Sequence, residues 1–243
     1  MSVGRAPSYG APRRVPDRSV HTGISGGGRW RARRDGRPAT LCWLLVGILL
    51  APQPGWAGGG PLGIDHMLAY DDSGIWNRRY QQALEYGLIA TEVVGAVWEG
   101  GDSRLGRTWW QSIDASVASG ITTEVLKLAF SRTRPIDSHG NADLWFQGHG
   151  NESFPSGEVT LTSAVVTPLV LEYGPDHPLA YALEVLPVYD AIARMKVQAH
   201  WQTDVLAGFA IGTASGWLMH RNPNTPYILR VMPHGIYIGV RTH

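Results

Sequence analysis

His200 and Asp204 stand four residues apart in the stretch Arg194 to Asp204, which reads Arg-Met-Lys-Val-Gln-Ala-His-Trp-Gln-Thr-Asp. On a helix that spacing puts both on one face, where the carboxylate takes the proton on one ring nitrogen and leaves the other free. An imidazole held in that way is a nucleophile. Arg194 precedes His200 by six residues. On a continuous helix that is about 240° of rotation at about 3.6 residues per turn, so the two meet only if the chain bends between them. The reading is therefore one helix ending near Lys196 and another starting near His200. A guanidinium beside an oriented imidazole suits an anionic substrate, most simply a phosphate, whose oxygens fit its planar fork. Such a trio also occurs as a plain structural hydrogen-bond network, so the chemistry depends on what the rest of the chain supplies.

Two earlier segments supply it. Lys127 falls at the end of a long helical pattern, seven residues before Arg134-Pro135. Pro135 pushes Arg134 out of the helical region, onto extended chain just past the helix end, where its fork can turn to a site shared with Lys127. Alone, this is a basic helix terminus complementing the helix dipole. Pro155-Ser156-Gly157 then opens another helix. Ser is a good N-cap, Gly lets an anion approach the backbone, and the free N–H groups of the first turn form a phosphate cradle. Alone, this is a well-capped helix.

As an ordered set, Lys127 with Arg134-Pro135, then Pro155-Ser156-Gly157, then Arg194, His200 and Asp204 resemble the three-part signature of the type 2 phosphatidic acid phosphatase superfamily, over 78 residues. The resemblance implies an all-α helical bundle and metal-independent phosphoryl transfer through a phosphohistidine. It implies His200 as nucleophile and Asp204 as its orienting partner. Lys127, Arg134 and Arg194 would hold the phosphoryl oxygens, with the backbone around Ser156 and Gly157 completing the cradle. Two positions depart from the family pattern: Ala193 stands where a serine is usual, and Glu158 replaces the histidine that protonates the leaving oxygen. A carboxyl is mostly ionised at neutral pH and a helix N-terminus favours the anion, whereas a bound phosphate disfavours a second negative charge beside it. Two readings of Glu158 follow. It donates the proton, with an optimum on the acid side, or it only stabilises the helix start and activity is reduced or absent. His149, nine residues upstream, is a second conceivable acid, and His139 a weaker one.

Three functions fit this set. The first is an exported, metal-independent phosphatase or phosphotransferase acting on phosphate monoesters or lipid diphosphates. The second is a vanadium haloperoxidase, which uses the same cradle to hold vanadate. The third is a phosphate- or phospholipid-binding relic without turnover. The first needs no cofactor and has vanadate as an inhibitor; its partner is a phosphorylated small molecule or lipid, with contact to a membrane surface an open option. Oligomeric state is not legible.

The elements that must position these residues follow from pattern. Nine of the 21 Lys and Arg, but only Asp17 and Asp35 of the 20 Asp and Glu, fall in residues 1–57, so the rest of the 243-residue chain is mildly acidic. That argues against nucleic acid as partner. The basic start, the apolar run from Leu41 to Ala51, and the small residues Gly55 and Ala57 describe a secretory signal peptide cut after Ala57, preceding a domain over 58–243. The destination is then periplasmic or secreted. The apolar run is short of the roughly 20 residues needed to span a bilayer, with an uncleaved anchor over 41–57 as the alternative. The paired arginines Arg13-Arg14 and Arg33-Arg34 hint at twin-arginine export in poorly fitting surroundings, and Cys42 precedes the apolar run, so it is not a lipid-attachment cysteine. Helical patterns run over 80–98, 108–130, 157–172, 178–196 and 201–220, with a long irregular connection over 135–155. Acidic and basic residues interrupt these segments, so none reads as a clean membrane span. Gly208, Ala210, Gly212, Ala214 and Gly216 allow close helix approach. Trp109, Trp110, Trp145 and Trp201 either line an apolar mouth or pack in the core. The tail from Tyr227 to Val240 is β-like in content but interrupted by Pro233 and Gly235.

Overall fold

Among the described residues five α-helices carry the fold: α1 (Arg78–Glu99), α2 (Arg104–Phe130), α3 (Gly157–Tyr173), α4 (Val185–Lys196) and α5 (Gln202–Arg221). The computed structural model describes residues 59–222, 229–232 and 235–238. The expected leader over 1–57, with Cys42 and the boundary after Ala57, lies outside the described residues.

Helix ends fall where local chemistry dictates. Asn77 caps α1 by accepting from the Arg79 N–H, and Gly100 closes it at φ 69°. Ser103 caps α2 through its hydroxyl, which accepts from the Gly106 N–H at 2.8 Å, so α2 starts four residues before the expected Thr108. Ser131, at φ 38°, stops α2 in the left-handed region. The expected helix over 178–196 divides in two: Pro178–Glu184 winds as a 3-10 helix and α4 begins at Val185. Pro187 then lies in the first turn of α4, where its missing N–H is one of those left unpaired anyway. In the tail, β1 (Leu229–Met232) and β2 (Gly235–Ile238) pair antiparallel with Arg230 opposite Tyr237, which gives the expected β content a form.

Packing centres on α5 against α3. Gly208, Gly212 and Gly216 recur every four residues and so share one face of α5. A Cβ would fall 2.5 Å from the Ser156 carbonyl oxygen at Gly208, 2.2 Å from that of Thr160 at Gly212, and 2.7 Å from Thr167 Cβ at Gly216. Only glycine permits this approach. Ala210 and Ala214, the other small residues expected to allow close approach, are exposed; a residue two positions on is turned by about 200° and lies across the helix. The close approach seats the start of α3 on the start of α5, where the Ser156 N–H donates to the Asp204 carbonyl at 3.1 Å.

Val159, Met195, Val205 and Phe209 form a buried cluster that joins α3, α4 and α5, and Ala96, Trp110 and Ile113 form another between α1 and α2. Trp110 and Trp201 are buried and Trp109 packs against the second cluster, so these tryptophans serve packing. No described helix is long and apolar enough to cross a membrane.

Two outcomes follow from this packing. Gly212→Val drives a side chain into the Thr160 carbonyl and lowers stability by about 1–3 kcal/mol or more, read as a lower denaturation midpoint; an unchanged midpoint would contradict the α3–α5 contact. Glu92 is 4 % exposed, and burial pushes its carboxyl up from 4.5 to about 7 despite a 3.1 Å hydrogen bond from Ser116. The folded chain therefore holds a proton that the unfolded chain releases: this stabilisation is full below about pH 4.5 and is lost as pH rises through about 7. Chemical denaturation across that range should show Glu92→Gln losing a pH-dependent difference on the order of 3 kcal/mol.

Candidate active site

The chain bends where the spacing of Arg194 and His200 requires it. After α4 ends at Lys196, Gln198 takes φ 51° and the Ala199 N–H donates to the Arg194 carbonyl at 3.0 Å. The Gln198 side chain donates to the Leu68 carbonyl at 2.7 Å, and its own carbonyl accepts from the Ile136 N–H at 3.1 Å. The N-cap of α5 is Trp201, so His200 lies two residues before the helix. That corrects the expectation of a shared helical face with Asp204. The ring instead places Nδ1 2.7 Å from the Ser153 carbonyl. A carbonyl only accepts, so Nδ1 carries the proton and Nε2 keeps its lone pair.

Asp204 acts one bond further back. Its carboxylate accepts from the Trp201 N–H at 2.8 Å, from the Ser153 hydroxyl at 2.5 Å and from Arg132 Nη1 at 2.6 Å. The contact with Trp201 is the reason it turns away from the imidazole: an acid at the third helical position reaches back to the open N–H of the cap residue. Asp204 therefore fixes Ser153, and the Ser153 backbone fixes His200. Burial pushes Asp204 up to about 6, against the pull of Arg132, Ser153 and Trp201.

His200 borders a cleft of about 340 Å³ that also has Arg194, Arg134, Lys127, Gly157 and Glu158 in its walls. Burial first, then the charges of Arg194 and Arg134, lower the His200 pKa well below its ordinary 6.5. The ring is accordingly neutral in the physiological range. Arg194, in the last turn of α4, is buried; its Nη1 donates to Gln81 Oε1 at 3.1 Å and its Nε has no partner. Arg134 is extended, at φ −70° and ψ 152°, immediately before Pro135. Lys127 Nζ lies 3.0 Å from Glu124 Oε1 and would be 3.4 Å from a Cβ on Gly157, so the ammonium sits over the opening turn of α3. Ser156 is the N-cap of α3 by position, but its buried hydroxyl makes no capping bond and has no partner. It stands behind the cleft wall rather than in it.

Glu158 has a partner that the sequence did not reveal. Arg78, from the first turn of α1, donates to both carboxylate oxygens at 2.5 and 2.6 Å, and Arg194 lies 3.5 Å away. Both oxygens are acceptors in this arrangement, which fits a structural part better than proton donation. His139 and His149 are exposed and lie outside the cleft walls. Trp145 stacks beneath Arg132 with 4.2 Å from guanidinium to ring centre, and Trp201 donates Nε1 to the Thr133 carbonyl at 3.0 Å; none of the four tryptophans lines the cleft, so of the two alternatives packing holds and the apolar mouth does not.

Arg132 was not legible as part of this system. Fully buried, it pairs with Asp65 and Asp204 at 2.6 Å each and donates to Thr203 Oγ1 at 2.8 Å and the Ala142 carbonyl at 2.7 Å. The one available signal is its position two residues before Arg134, a spacing that on extended chain puts two side chains on the same side. Asp190, one turn before Arg194 on α4, is also buried, and burial followed by the charge of Glu158 pushes it up to about 8.

Residues 109–227 match the sequence model of the PAP2 superfamily. The lipid A 1-phosphatase of Rhizobium etli is 34% identical over 105 residues, covering 42% of this chain and 43% of that one. The lipid A 1-phosphatase of Rhizobium johnstonii is 34% identical over 100 residues, 40% of each chain. The chain thus aligns with less than half the length of these curated relatives. No solved structure gives a significant match.

Arg132→Met leaves two buried carboxylates without their cation. The expected loss is about 3–5 kcal/mol of stability in denaturant titration; a variant as stable as the parent would contradict the bridge.

Proposed function

We propose, on the match of residues 109–227 to the PAP2 superfamily model, that the protein hydrolyses phosphate monoesters, those of lipids foremost, through a phosphoryl group carried on His200 Nε2. One observation carries the reading: a neutral imidazole, fixed through Nδ1 on the Ser153 carbonyl, borders a cleft shared with Arg194, Arg134 and Lys127.

Phosphoryl transfer asks little covalent chemistry of a protein beyond an in-line nucleophile and charge for the equatorial oxygens. His200 supplies the nucleophile. Arg194, Arg134 and Lys127 supply the charge, and the first turn of α3 around Gly157 adds backbone N–H donors. Arg78 offsets Glu158, so the carboxylate at the cleft wall opposes an incoming phosphate less than a bare one would. Three cationic side chains provide the neutralisation that a divalent ion provides in other phosphoryl-transfer sites, so turnover without added metal is part of the proposal, as is inhibition by vanadate in the same cradle.

A lipid substrate draws support from two sides. The curated relatives are named lipid A 1-phosphatases. Ile121, Val125 and Leu128 are exposed on α2, each one residue on from the cleft-lining Gly120, Glu124 and Lys127. A headgroup phosphate in the cleft would leave its acyl chains along that apolar strip. The leader over 1–57 supports export to the periplasm or beyond. A binding role without turnover rests on a single observation, the engagement of Glu158 by Arg78 in place of an acid histidine.

The test is phosphate release by the full chain without added metal, from an aryl phosphate and from a detergent-dispersed lipid phosphate, beside His200→Ala. The expected loss in the variant is on the order of 10³-fold or more on both substrates. Equal release by variant and parent would remove His200 as nucleophile, and release from the aryl ester alone would remove the lipid reading.

A further inference from the structure

With Glu158 engaged by Arg78, the cleft still needs a proton source for the leaving oxygen. Among the cleft-lining carboxylates, Glu124 pairs with Lys127 and Glu158 with Arg78, while Glu85 accepts no hydrogen bond from any described residue. Glu85 lies on α1, two turns beyond Arg78, and half-buried in the cleft wall. We propose that Glu85 is the general acid of this site, donating a proton to the leaving oxygen in the place of the missing histidine. The proposal rests on the phosphatase reading above.

Position supports it. In-line transfer puts nucleophile and leaving group on opposite sides of the phosphorus. Glu85 and His200 line the same cleft, and Arg194 and Lys127 act on the charge of both. In the proposed arrangement a phosphate held by these cations has His200 on one side and its leaving oxygen toward Glu85 on the other.

Electrostatics support it as well. Burial first and the charge of Glu158 second raise the Glu85 pKa above its ordinary 4.5, against Arg78, Arg194 and Lys127, which lower it. The groups around it are Arg78 on its own helix, Glu124 and Lys127 from α2, Glu158 from α3, and Arg194 from α4 with Asp190 behind. An arriving phosphate dianion adds negative charge to that set and shifts Glu85 further toward its protonated form. Glu158, by contrast, has both oxygens occupied by Arg78.

The two half-reactions then balance. His200 Nε2 bonds to phosphorus as the bond to the leaving oxygen breaks; the electron pair departs on that oxygen and the Glu85 proton joins it. The products are an alcohol, phosphohistidine and a Glu85 carboxylate. Water next attacks phosphorus and gives its proton to Glu85, and Nε2 leaves. Inorganic phosphate is released and Glu85 is again an acid.

A general acid matters most for a poor leaving group. With the full-length chain, Glu85→Gln should lower kcat on dodecyl phosphate by about 100-fold or more but on p-nitrophenyl phosphate by about tenfold or less. It should also remove the fall in rate with rising pH that the parent shows on dodecyl phosphate, whereas Glu158→Gln should retain that fall. Equal losses on both esters, or no loss on dodecyl phosphate, would overturn the assignment of Glu85. A parent chain with no His200-dependent release from either ester would overturn the phosphatase reading itself, and this inference with it.

Discussion

A guanidinium without exposed surface lies between two buried carboxylates, and most of what makes this cleft depends on it. Arg132 bonds Asp65 before α1, the Ala142 carbonyl in the long connection, and Thr203 and Asp204 at the start of α5. Removing such charges from water costs several kcal/mol per ion, and only good geometry with further hydrogen bonds offsets it. Here each carboxylate has further donors: Asp65 takes the Thr203 N–H and hydroxyl, and Asp204 takes Ser153 and Trp201. The result is positional. Asp204 holds Ser153, Ser153 holds His200 by its carbonyl, and the glycine face of α5 draws the start of α3 against the same point.

Around that frame the cleft gathers charge of both signs. Burial first, and then the charges of Arg194, Arg134 and Lys127, keep His200 neutral, which under the proposed function leaves it able to attack the anion that these cations attract. Arg194 is itself held by Gln81 and stands close to Glu158, which Arg78 ties to α1. The first helix thus reaches the site through Arg78, Gln81 and Glu85, although the signature residues all come from later in the chain.

Much of this was legible because it is local. The helices α1, α3 and α5 follow from periodicity, glycine stops and caps, and the bend between Arg194 and His200 follows from rotation per residue alone. Arg134 is extended because a proline follows it. What failed was a step that treated the four-residue spacing of His200 and Asp204 as helical, when the helix begins at Gln202 and its third residue turns back to the cap. The remaining gaps are contacts at long range. Arg132 and Asp65 are 67 residues apart, and Arg78 and Glu158 are 80 apart. No pattern in one sequence pairs them, because a buried ion pair leaves no periodicity. Glycine spacing on α5 was visible, yet which glycines meet α3 depends on the angle at which the two helices pack.

The central claim is that a neutral His200, held by the Ser153 carbonyl, receives the phosphoryl group. It is tested most directly by quenching the full chain in alkali during incubation with a ³²P-labelled phosphate ester and mapping the label by peptide mass spectrometry. The account predicts label on the peptide carrying His200, stable in alkali and lost in acid as expected of a phosphoramidate. Label on another residue, or turnover with none, would contradict it.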